Sequence, residues 1–67
     1  MLKNRVKEYR KKYKLTQEEL ANNLGVTRQT IIAVENNKYN PTLELAMRLA
    51  KYLNTTIEEL FTLINKE

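Results

Sequence analysis

The chain has no cysteine, no histidine and no tryptophan, and only one glycine and one proline among its 67 residues. Without cysteine there are no disulfides and no thiolate metal sites. Without histidine, the commonest metal ligand and the usual general base are both missing. The carboxylates fall mostly at helix-capping positions or on polar helix faces, and no nucleophile has a base at hand. Neither an enzyme nor a cofactor or metal site is expected. No apolar run approaches a membrane span or the apolar region of a signal peptide, which points to a cytoplasmic protein with no membrane partner. The length allows a single domain over 1–67 with one small core and no separate sensor or catalytic domain, and no small-molecule ligand is evident. Twelve Lys and Arg against eight Asp and Glu leave a net charge of +4. That balance favours an anionic partner, although a modest excess of lysine is also common in soluble proteins.

The most informative stretch is LTQEELANNLGVTRQTIIAVENNKYNP, Leu15 to Pro41. Thr16 and Glu19 have the spacing of a capping box, and Leu20, Ala21 and Leu24 follow as one apolar stripe. Gly25 stands where a helix must end in a left-handed residue, and Val26 is expected to be buried in the turn. Thr27 then caps a second helix, Arg28 to about Asn36. This is a helix-turn-helix over about 16–36. At about 100° per residue, Thr30, Ile31 and Val34 share one side of the second helix. Arg28, Gln29, Ile32, Ala33 and Asn36 share the other. In a DNA major groove that mixture has a use: Arg pairs with guanine, Gln with adenine, and small apolar groups touch thymine methyls. On the helix alone, an ordinary surface helix with one stray isoleucine reads equally well.

The flanking segments complete an all-α reading. In MLKNRVKEYRKKYK, Leu2, Val6, Tyr9 and Tyr13 recur at helical spacing, and six basic residues lie between Lys3 and Lys12. Those charges read as a solvated face or as a backbone-facing end near nucleic acid; the stripe is too narrow for a membrane-surface helix. NNKYNPT, Asn36 to Thr42, is a turn, with Asn36, Asn37 and Lys38 suited to phosphate or simply a polar loop. Thr42 is a natural cap for LELAMRLAKYL, whose apolar face takes in Leu43, Ala46, Met47, Ala50 and Leu53, with Leu45, Leu49 and Tyr52 on its flank. Met47 is expected to fill a gap in the core. Thr56 and Glu59 repeat the capping-box spacing before a last helix with Ile57, Leu60, Phe61 and Ile64 on one face and Leu63 beside it. That is more apolar surface than a short terminal helix needs, so part of it is expected at a dimer contact.

Gln17, Leu20, Ala21, Gly25, Val26, Ile31, Glu35 and Pro41 carry a resemblance to the Cro/C1-type (Xre) helix-turn-helix family. The closing rhythm of Leu45, Leu49, Ala50, Leu53, Ile57, Leu60 and Phe61 extends it over nearly the whole chain. It is densest along RQTI, NKYNP and YLNT, as in the minimal single-domain repressors of bacteria and archaea. The resemblance implies a compact five-helix, lambda-repressor-like DNA-binding domain with the helix-turn-helix at helices 2 and 3. It implies base contacts from Arg28 and Gln29, and phosphate contacts from Gln17, Thr27, Thr30 and Lys38, to which the residue reading adds Asn36 and Asn37. Arg10 and Glu35 match a pair that the family joins as a structural salt bridge. At Ala33 some relatives carry a longer polar side chain; here methyl contact from Ile32 or Ala33 would take its place.

One recognition helix is too small to select a single operator. A homodimer on double-stranded DNA, reading an inverted repeat, is therefore expected. Tyr39, Pro41, Ile57, Phe61, Leu63 and Ile64 are the candidate dimer residues. The leading expectation is a transcriptional repressor. The antitoxin of a toxin–antitoxin pair and a protein–protein adaptor that keeps the fold are the alternatives.

Overall fold

Among the described residues, four of the five helices begin on a threonine, and the same local chemistry starts each of the four. In the computed structural model, which describes residues 2–64, the order is β1 (Leu2–Asn4), α1 (Val6–Lys12), α2 (Gln17–Leu24), α3 (Arg28–Glu35), α4 (Leu43–Tyr52), α5 (Ile57–Leu60) and β2 (Phe61–Leu63). Met1, expected to open the first helix, and 65–67, expected within the single domain, lie outside the described residues. Thr16, Thr27, Thr42 and Thr56 are extended, and each side chain accepts the backbone N–H three residues on, satisfying a donor that a helix start leaves open. At α2 the box is complete, because Glu19 also takes the Thr16 N–H at 2.8 Å. At α5 Glu59 instead accepts the Thr55 hydroxyl at 2.8 Å.

The helix ends are also alike. After α1, α2, α3 and α4 one residue turns left-handed, respectively Lys14, Gly25, Asn37 and Asn54. The next N–H then reaches five residues back: Leu15 to Arg10, Val26 to Ala21, Lys38 to Ala33 and Thr55 to Ala50, all within 2.9–3.1 Å. Each closure satisfies a carbonyl that would otherwise be orphaned.

Val6, Leu20, Leu24, Ile31, Val34, Leu49, Leu53 and Leu60 form the centre of one core, and Tyr9, Leu15, Val26 and Ile57 pack against it. Three expectations change. First, the fold is mostly helical and not strictly all-α. Leu2–Asn4 is a strand, antiparallel to Phe61–Leu63, with Leu2 opposite Leu63 and Asn4 opposite Phe61. Each stretch has too few residues to sustain a helix but can supply the other with backbone partners. Second, the last helix therefore stops at Leu60, and Phe61 turns extended and inward. Third, α4 is rotated relative to the expected face. Leu45, Ala46, Leu49, Ala50 and Leu53 are buried, whereas Leu43 and Met47 are exposed, so Met47 fills no core gap. The Arg48 guanidinium, donating to the Leu24 carbonyl at 2.7 Å, is consistent with that rotation.

Candidate nucleic-acid interface

The interface is built around α3, whose buried side is Ile31 and Val34. On the other side Arg28 and Gln29 are exposed, Ile32 and Ala33 are half-buried, and Asn36 at the helix end is exposed. The left-handed Gly25 sets the turn into α3, and a Cβ built there would meet nothing within 4 Å. Thr27 caps α3, and its hydroxyl lies 3.0 Å from that of the half-buried Thr30. The turn is held from behind by α4, through Arg48 on the Leu24 carbonyl and through Tyr52, whose hydroxyl accepts from the Asn23 amide.

One carboxylate ties three helices together. Glu35, at the end of α3, has a side chain only 1 % exposed and accepts from Arg10 Nε at 2.6 Å and Nη2 at 3.3 Å. Gln17 Nε2, at the start of α2, donates to the same carboxylate at 3.1 Å. Arg10 Nη1 donates to the Leu15 carbonyl at 2.8 Å, fixing the α1–α2 link as well. Buried charge is tolerated only when paired and fully hydrogen-bonded, and here the pairing sets the angle of α3 against α1 and α2. Among the described residues no buried side-chain nitrogen or oxygen lacks a partner. Gln17 is thus half-buried, with one amide N–H directed to protein.

Beside this hub runs an open groove lined by Lys7, Lys14, Gln17, Glu18 and Arg28, a cationic trough at the start of α2. Lys38 stands exposed in the turn after α3. Asn37 is also exposed, but its Oδ1 accepts from Asn4 Nδ2 at 3.0 Å. The residues considered for a dimer surface are scattered in exposure. Leu63 is 70 % exposed and Tyr39 partly so; Pro41, Ile57 and Ile64 are half-buried. Phe61 is 8 % exposed and belongs to its own chain's core, which corrects the expectation that it stands on a surface.

Sequence reasoning missed Asn4, Arg48, Lys7 and Lys14. Asn4 had no signal, since it stands one residue outside the N-cap position of α1, and its α3 partners, Val34 and Asn37, are distant in sequence. For Lys7 and Lys14 the residues alone favoured a solvated helix face over a backbone-facing one, and Arg48 acts on a carbonyl that sequence does not reveal. Among the described residues no helix is long and apolar enough to cross a membrane, and no acidic cluster could hold a metal ion.

Two capped helices around a left-handed glycine, the second braced by α1 and α2 and presenting a mixed polar–apolar face, define a helix-turn-helix domain. A family profile described as helix-turn-helix matches residues 6–60. The chain belongs to that family, of the Cro/C1 type, whose members are transcriptional regulators and not enzymes. It is 53 % identical over 60 residues to an uncharacterised HTH-type transcriptional regulator of Methanocaldococcus jannaschii, covering 90 % of this chain and 91 % of that protein. It is 47 % identical over 66 residues to another from Archaeoglobus fulgidus, covering 98 % and 94 %. The cryptic phage CTXphi transcriptional repressor RstR of Vibrio cholerae is 37 % identical over 60 residues, which are 90 % of this chain and 54 % of RstR.

Proposed function

We propose that this protein is a sequence-specific regulator that binds double-stranded DNA as a homodimer and represses transcription from an inverted-repeat operator. The observation that carries the reading is the outer face of α3. Arg28, Gln29, Ile32 and Ala33 are accessible, while Glu35, at the inner end of the same helix, is fixed by Arg10 and Gln17. A helix mounted in this way enters a major groove as a rigid reader. Arg28 and Gln29 lie at its first turn, where recognition helices meet base edges. Ile32 and Ala33 offer methyl contacts to thymine. Thr27, Thr30, Asn36, Lys38 and the outward part of Gln17 then fall to the backbone, joined by Lys7 and Lys14 from the adjoining trough.

Dimerisation follows from size: each good bidentate contact gives about 1–3 kcal/mol of discrimination, and doubling the contacts demands half-sites about one helical turn apart. The exposed Leu63 and Tyr39, with Leu43 and Met47 of α4, are among the apolar groups available to a second copy. Repression by occupancy, with the dimer excluding polymerase from a promoter inside the cell, is supported by the likeness to RstR, which is named a repressor. The test is selection of bound duplexes from a random pool, with recovered sites retested across a salt series. An inverted repeat bound by a dimer, with steep salt dependence, is the expected result. Absence of binding even at low salt would overturn the reading and favour a protein–protein adaptor.

A further inference from the structure

Asn4 is the last residue of β1, opposite Phe61 of β2, and its half-buried side chain bonds to three separate places. Its Oδ1 accepts the Val6 N–H at 3.0 Å, which starts α1. Its Nδ2 donates to the Val34 carbonyl in the last turn of α3 at 2.7 Å, and to Asn37 Oδ1 at 3.0 Å. The two acceptors, one backbone carbonyl and one side-chain oxygen, lie on one short piece of chain. Asn37 has a φ of 59°, and around it the Asn37 N–H returns to Val34 at 3.0 Å and the Lys38 N–H to Ala33 at 2.9 Å. That closure decides the direction in which the chain, and Lys38 first of all, leaves α3.

A left-handed conformation disfavours every residue with a Cβ, Asn least among them, so a turn built on Asn37 gains from an outside hold. Asn4 supplies it, and Asn4 is itself placed by the strand pair, since the next N–H, that of Arg5, bonds to the Leu60 carbonyl at 2.9 Å. We infer that Asn4 is a positioning residue for the DNA-facing turn: carried by the β1–β2 sheet, its amide holds the α3 C-terminus and Asn37 so that Lys38 is aimed at a phosphate. The inference rests on the proposed DNA-binding reading. It assigns the small sheet a share in recognition, exerted through Asn4.

The test is a double-mutant cycle between Asn4→Ser and Lys38→Ala on the selected operator duplex, with affinity measured across a salt series and folding followed by urea unfolding. Serine keeps an oxygen that can accept the Val6 N–H two residues on without adding charge, but is too short to bridge to α3. Asn4→Ser is expected to lower affinity about two- to tenfold, the worth of one hydrogen bond, with the protein still folded. It should also reduce the salt slope by about one, as Lys38→Ala does, and the double variant should be no weaker than Lys38→Ala alone. Additive losses, or full affinity in Asn4→Ser, would overturn the inference. If Lys38→Ala itself changes nothing, the DNA-facing assignment of the turn has failed, and the positioning role fails with it. Should Asn4→Ser not fold, Asn37→Gly decides. It removes the Oδ1 acceptor while leaving the Asn4–Val6 bond and the left-handed turn intact. It must show the same non-additivity with Lys38→Ala, and independence there would overturn the role.

Discussion

Replacing Glu35 by Leu, Arg10 by Met, and both together tests whether the helix-turn-helix is set by one buried ion pair. The Glu35 side chain is 1 % exposed and that of Arg10 10 %. Removing either partner strands the other charge in the interior, which costs about 3–5 kcal/mol. A domain of this size has about 3–10 kcal/mol in total, at about 0.05–0.15 per residue. Each single variant should therefore lose about a third or more of the total, and at the low end of that range would stand at its unfolding midpoint in water. The double variant removes both charges and packs apolar volume in their place, so most of that loss disappears. What remains is the Leu15 carbonyl, which loses the Arg10 Nη1 donor now at 2.8 Å, an unsatisfied acceptor of about 1–3 kcal/mol. Gln17, half-buried, can turn its amide to water. Urea unfolding followed by far-ultraviolet circular dichroism gives all four stabilities. The expected coupling between the sites is about 3 kcal/mol or more, at the upper end of what contacting residues show. Single losses below about 1 kcal/mol that simply add would be the behaviour of an exposed pair and would refute the reasoning.

Gly25→Ala should cost about 1–2 kcal/mol of backbone strain, less a few tenths regained from the stiffer unfolded chain, because no atom obstructs the new Cβ. Gly25→Asn should recover much of that loss, and a thermal scan would resolve the two at about 4–8 °C per kcal/mol. Arg28→Ala should relax base preference at one operator position, whereas Lys38→Ala should weaken binding to all sequences and lower the salt slope by about one; repeated site selection and a salt titration distinguish them. Leu63→Glu, at a 70 % exposed position, should leave the monomer folded but shift sedimentation from dimer to monomer and reduce preference for the paired half-site.

Much of the helix-turn-helix was legible because its signals are local. Thr16 with Glu19, Thr27, Thr42 and Thr56 each act on a backbone group three residues away, and Gly25 on its own φ. The inward side of α3 followed from period alone, since Ile31 and Val34 have no apolar rival at the same register. On α4 two stripes overlap, one through Leu43 and Met47 and one through Leu45 and Leu49, and only the packing of neighbouring helices decides between them. The strands were not legible: Leu2–Asn4 and Phe61–Leu63 fit a helical stripe as well as a strand, and each is defined by a partner at the far end of the chain. The meeting of Arg10 with Glu35 came from family resemblance, because nothing in either residue's neighbourhood names the other. The left-handed residues were legible at Gly25 only. Asn37 was read as a turn residue, while Lys14 carries no mark of its positive φ.

The pairing of Leu2 with Leu63 acts on the lifetime of the fold more than on its formation. The helices meet their near neighbours in sequence, contacts that form early, whereas the strand pair must wait for a loop of nearly the whole chain to close. Loop entropy grows slowly, about 0.6 kcal/mol per doubling, so the late closure costs little in equilibrium stability. Kinetically the effect is asymmetric. Contacts absent from the transition state for folding retard its reversal, so the strand pair slows unfolding while barely touching the folding rate. The clasp is a brake on opening, added after the helices have already found one another.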